Sequence, residues 1–170
     1  AVVNYKDMIR QVNWEEVKTR LKPGEAAIEF VHFPLKFPKE ADSTFYAALI
    51  LSPSMAKPQF IPLFEQRSLD SLLHASSVRK ADYVKGLYTL ADPGAVAVEG
   101  HRRSLYEMLW KPLEDKLKEV NTIYFSPSGL LHRINLDAIP ISETETLADR
   151  FNLIELNSTR QLVIPTQIKN

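Results

Sequence analysis

Ser128, His132 and Asp137 fall within ten residues of one another. A hydroxyl, an imidazole and a carboxylate are the parts of a nucleophilic triad, in which the base draws the hydroxyl proton and the acid orients the base. The local pattern predicts that these three do not meet. From Leu130 to Ala138 the alternation reads as a strand, with Leu130, His132, Ile134, Leu136 and Ala138 on one face and Arg133, Asn135 and Asp137 on the other. His132 and Asp137 then point apart, and no G-x-S-x-G elbow occurs among the five glycines. His132 is therefore expected to be a hydrogen-bonded core histidine and not a catalytic base. The remaining histidines, His32, His74 and His101, add no i, i+3 or i, i+4 pair that would seat a metal. Gly24, Gly86, Gly94, Gly100 and Gly129 form neither a phosphate-binding loop nor a dinucleotide fingerprint, so no cofactor is expected. His101-Arg102-Arg103 is a basic cluster at a helix start, expected to be solvated.

The chain contains no cysteine, which removes a thiolate nucleophile, thiolate metal sites and disulfides together. Lys+Arg and Asp+Glu both number 21, so no global field gathers phosphates or anionic lipid, and nucleic acid is not expected as a partner. With 170 residues, 45% of them hydrophobic, the composition is that of one ordinary globular domain with its own core. No apolar run approaches the roughly 20 residues that span a bilayer, so no membrane is expected. The first residues lack the order of a signal peptide. The chain starts at Ala1 and not at Met, which suggests a piece of something longer; a cytoplasmic location is the working expectation.

The elements that would position these groups follow from periodicity. Tyr5, Met8, Ile9 and Val12 share a helical face, the tail of an upstream helical region or linker over residues 1–13. Asn13 with Glu16 three residues on reads as a cap, after which Trp14, Val17 and Leu21 form a stripe that Pro23-Gly24 ends; one continuous helix running through residue 13 is the alternative reading. Ala27–Phe33, Phe45–Leu51 and Gln59–Phe64 read as three strands, and their short links favour an antiparallel meander. Ser68 reads as the cap of a helix carrying Leu69, Leu72 and Leu73, and a second helix presents Ala81, Val84, Leu87 and Tyr88. Leu105, Leu109, Leu113 and Leu117 step by four along a long helix that Pro112 should kink near Trp110. Thr122–Phe125 reads as a buried strand, Ser126–Gly129 as a tight turn, Thr144 as the cap of a short turn through Ala148, and Phe151–Leu156 as a last apolar run.

Five stretches together carry a family likeness: WEEVKTRLKPGEAAIEF (14–30), YAALIL (46–51), LYEMLWKPLEDKL (105–117), SPSGLLHRINLDAIP (126–140) and LADRFNLIELNSTRQL (147–162). They resemble the first part of the CHAT domain, a relative of caspase-type cysteine peptidases that bacteria often join to tetratricopeptide repeats. One departure is Asn135-Leu136, where many relatives have Pro before a large apolar residue. The resemblance implies an α/β fold: part of a caspase-like three-layer sandwich with a mixed sheet, an antiparallel N-terminal meander and flanking helices, occupying residues 14–170. It also implies that the catalytic His and Cys lie on later core strands, so no residue here inherits a catalytic role. The implied function is structural, completing the peptidase core and coupling it to upstream repeats. The alternative is a stand-alone scaffold or protein-interaction module. The implied partners are the upstream helical repeats, the missing C-terminal half, other proteins, or a second copy through an open sheet edge.

Overall fold

The computed structural model describes residues 11–35, 43–75 and 104–164. The expected helical face over residues 1–12 therefore lies outside the described residues except for its end, and the helix through Ala81 and Tyr88 and the His101–Arg103 cluster lie outside them altogether. Helix α1 (Trp14–Arg20) opens as the sequence predicts: Asn13 has extended backbone, and its Oδ1 accepts from the Glu16 N–H at 2.9 Å. Leu21 ends it, and Gly24, at φ +82°, turns the chain into the sheet. The Gly24 carbonyl accepts from the N–H groups of Asn121 at 2.9 Å and Thr122 at 3.2 Å, so this turn also fixes where a strand almost a hundred residues later begins.

Strands β1 (Glu25–Leu35), β2 (Ser43–Leu51) and β3 (Gln59–Glu65) form the expected antiparallel meander. β4 (Thr122–Ser126) adds parallel to β1, and β5 (Asn152–Glu155) parallel to β4, giving one mixed sheet in the order β3-β2-β1-β4-β5. Pro62, which cannot donate to a ladder, sits on the edge strand β3, and the register shifts beside it, between Tyr46 and Ala47. The alternation of each strand sorts two faces. Ala26, Ile28, Phe30, Tyr46, Ala48, Ile50, Ile123 and Phe125 belong to the main core, together with Leu69, Leu72 and Leu73 of α2 (Gln66–Ala75) and the segment after Ser104. On the opposite face Ala27 and Leu51 pack with Val17 of α1 and with Leu21, which ends that helix, bordered by Leu162 and Val163. The fold is thus α/β, a mixed sheet with helical segments on both faces. Among the described residues no helix is long and apolar enough to cross a membrane.

Helix α2 starts at Gln66, directly off β3, so Ser68 lies inside its first turn and is not the residue that precedes it. The long helix expected from Leu105 is instead a π-helical turn (Tyr106–Trp110) followed by a 3-10 helix (Lys111–Lys116). Pro112 supplies the reason: its ring crowds the carbonyl four residues back, and the Lys111 N–H reaches the Tyr106 carbonyl five residues back. The widened and then tightened turns keep Leu105, Leu109, Leu113 and Leu117 all fully buried.

The strand expected over Leu130–Ala138 does not form. Residues Gly129–Arg133 and Leu136–Ala138 are two 3-10 turns, burying Leu131, Ile134, Leu136 and Ile139. Gly129, at φ +56°, turns the chain away from β4, so the alternation of apolar residues runs on in 3-10 turns. The following helix α3 (Leu147–Arg150) is capped by Thr146, two residues later than expected. The Asp149 carboxylate accepts from the Thr146 N–H at 2.7 Å and its hydroxyl at 2.9 Å.

Within the π-helical turn, Tyr106 donates to the Glu114 carboxylate across to the 3-10 helix. Burial, then the Glu114 hydrogen bond and charge, push the Tyr106 phenol up to about 12, against the opposing charge of Arg150. A raised phenol pKa means that the folded state favours the neutral form. That contribution is complete below the ordinary tyrosine value and is lost as pH rises through about 12. Ultraviolet difference titration of the chain against Tyr106→Phe is expected to remove one phenolate step near pH 12 and leave the lower steps in place. Loss of a step near pH 10, the ordinary tyrosine range, would contradict the Tyr106–Glu114 pairing.

Candidate functional site

Past the carboxyl ends of the paired segments of β1 and β4, three strands bring polar groups together. The β1–β4 ladder ends at Glu29 opposite Ser126; β1 runs on to Leu35 beside β2, while β4 departs. The turn Ser128-Gly129-Leu130 fills the space left beside β1. There Ser128 Oγ lies 2.5 Å from His32 Nδ1. His32 stacks on Tyr46 of β2 at 5.6 Å between centroids, and Tyr46 stacks in turn on Phe64 of β3 at 5.0 Å. The Tyr46 hydroxyl accepts from the Leu130 N–H at 2.9 Å, anchoring the turn from its other side. Gly129 is required twice here. Its φ of +56° disfavours a side chain, and a Cβ would come within 2.5 Å of the Tyr46 hydroxyl oxygen and 3.2 Å of His32 Nδ1.

His132 is therefore not the histidine of this site, nor is it a core histidine. It lies exposed on the first 3-10 turn, because the helical period turns position 132 outward between buried Leu131 and Ile134. Asp137 is also exposed, on the second turn, with its N–H donated to Asn135 Oδ1 at 3.2 Å. Ser128 finds an imidazole, but from 96 residues earlier in the chain. Only the register could have revealed it: Glu29 opposite Ser126 sets His32 and Ser128 just beyond the same end of the ladder. His74 lies in α2, away in sequence from this cluster. Among the described residues no three His, Cys, Asp or Glu side chains gather as a metal site.

The opposite sheet face carries a groove of about 270 Å³, lined among others by Val12, Trp14, Leu49, Leu51 and Pro58. Its floor is tied to the C-terminal 3-10 turn (Thr159–Leu162), where the Glu29 carboxylate accepts from the Thr159 N–H at 2.9 Å and its hydroxyl at 2.6 Å. Trp14, Leu49 and Phe60 are large apolar side chains left exposed, Phe60 by 55%. At the far side of the sheet β5 is the last strand among the described residues, with Leu153 and Ile154 only half-buried. No family model and no curated protein matches the chain.

Proposed function

We propose that this chain is the non-catalytic N-terminal part of a CHAT-type, caspase-like cysteine peptidase from a bacterial cytoplasm, serving as structural core and as the coupling to upstream helical repeats. On this reading the chain itself hydrolyses nothing, and the His-Cys pair resides in later strands of the parent. The observation that carries the reading is the open parallel side of the sheet. Parallel strands in α/β sheets are normally covered on both faces, yet among the described residues β5 ends the sheet with Leu153 and Ile154 half-exposed. Further strands joining at β5 would bury them, and later core strands are where the resemblance places the catalytic residues. The absence of cysteine agrees with chemistry located elsewhere.

The exposed Trp14, Leu49 and Phe60 favour a second reading, a self-sufficient scaffold or interaction module whose groove face meets another protein. An edge-to-edge dimer through β5 belongs to either reading. The discriminating experiment labels the product of the complete source reading frame with a thiol-reactive peptidase probe. The peptidase reading expects one labelled cysteine and no label after its substitution by alanine. Labelling that persists after that substitution, or a reading frame without such a cysteine, leaves the scaffold module.

A further inference from the structure

We propose that Ser128 is an activated nucleophile with His32 as its base, open to small activated esters and phosphonyl groups. This goes beyond the scaffold reading, which assigns the peptidase chemistry to a thiol outside the chain, and it stands or falls separately. The geometry is a built one. Ser128 Oγ and His32 Nδ1 lie 2.5 Å apart, within the reach that a nucleophile and its base require. The imidazole is held by its stack on Tyr46, and the turn bearing Ser128 is held by the Leu130–Tyr46 hydrogen bond, so neither partner is placed by its own rotamer alone. Ser128 is half-buried while His32 and Gly129 on either side of it are exposed, so a small electrophile can reach the hydroxyl. Ser128 lies two residues past the end of β4, and His32 lies three residues past the last β1–β4 pair, on the part of β1 that pairs with β2 alone.

With an ester, Ser128 Oγ bonds to the carbonyl carbon, its proton passes to His32 Nδ1, the ester C–O bond breaks and the departing alcohol carries that proton away, leaving acyl-Ser128. Among the described residues no carboxylate is hydrogen-bonded to the His32 ring to orient it for a second step. Acylation alone is inferred, a step that a nucleophile and its base carry between them.

The test treats the whole chain with a fluorophosphonate probe and maps adducts by peptide mass spectrometry. Oγ–P bond formation expels fluoride, and the hydroxyl proton goes to His32. Labelling of Ser128 is expected to outpace that of Ser54 and Ser158 by at least about 10-fold, and to fall on the order of 100-fold in His32→Ala. Free imidazole added to His32→Ala should restore part of the rate, which a purely structural role of His32 would not produce. Ser128 labelled no faster than the other two serines, or labelled equally fast without His32, would overturn the proposal. Neither result bears on thiol labelling of the parent.

Discussion

Leu113→Ala is expected to lower the unfolding free energy by about 3–5 kcal/mol, the range for emptying a fully buried leucine site that cannot collapse. Leu113 has no exposed surface and follows Pro112, the residue that breaks the helix into a π-helical turn and a 3-10 helix. Its neighbours in the stripe, Leu109 and Leu117, are equally buried, so the cavity would open inside the layer that holds this segment to the sheet. Urea denaturation reads the change as a lower midpoint at constant slope. Phe60→Ala, at a side chain 55% exposed, is the control and should move stability by less than about 1 kcal/mol. A loss below about 1 kcal/mol for Leu113→Ala would mean that the segment does not pack on the sheet as described.

Gly129→Ala is expected to cost about 2–5 kcal/mol, from two sources that a double-mutant cycle separates. A left-handed φ of +56° is unfavourable for any side chain. The new Cβ would also lie 2.5 Å from the Tyr46 hydroxyl oxygen. Tyr46 is fully buried between the His32 and Phe64 rings, so it cannot swing aside cheaply. Tyr46→Phe alone removes the acceptor of the Leu130 N–H and should cost about 1–2 kcal/mol. It also removes the colliding oxygen, so the double variant is expected to lose at least about 1 kcal/mol less than the sum of the singles. Strict additivity would show that the turn does not sit on Tyr46.

These two sites also mark how far the residues alone carry the fold. The cap at Asn13, the three-strand meander and the buried ladder from Leu105 to Leu117 were legible because each rests on local periodicity and capping chemistry. The strand reading of Leu130–Ala138 failed because Gly129 turns the chain away from β4 into two 3-10 turns, which local alternation does not register. The same error moved His132 into a core it does not enter. His32 and Ser128 could not be paired from sequence, since their meeting depends on the parallel register of β1 and β4, which no local signal encodes. The π-helical turn was visible only as a disturbance at Pro112; its form depends on the carbonyl that the ring displaces.

If the rest of a peptidase core joins the sheet at β5, as proposed, amide hydrogen exchange at that strand reports it. The Asn152 N–H bonds to the Asn121 carbonyl just before β4 and the Leu156 N–H to the Phe125 carbonyl of β4, at 2.8 Å each, so those of Leu153 and Glu155, which alternate with them, point away from β4, where no further strand lies among the described residues. In dilute solutions of this chain, Leu153 and Glu155 are predicted to exchange rapidly while Ile154 is protected. In the same chain extended through its source reading frame, both should slow by at least about 100-fold as a further strand covers the edge. Equal exchange at Leu153 and Glu155 in the two proteins would rule out attachment at β5.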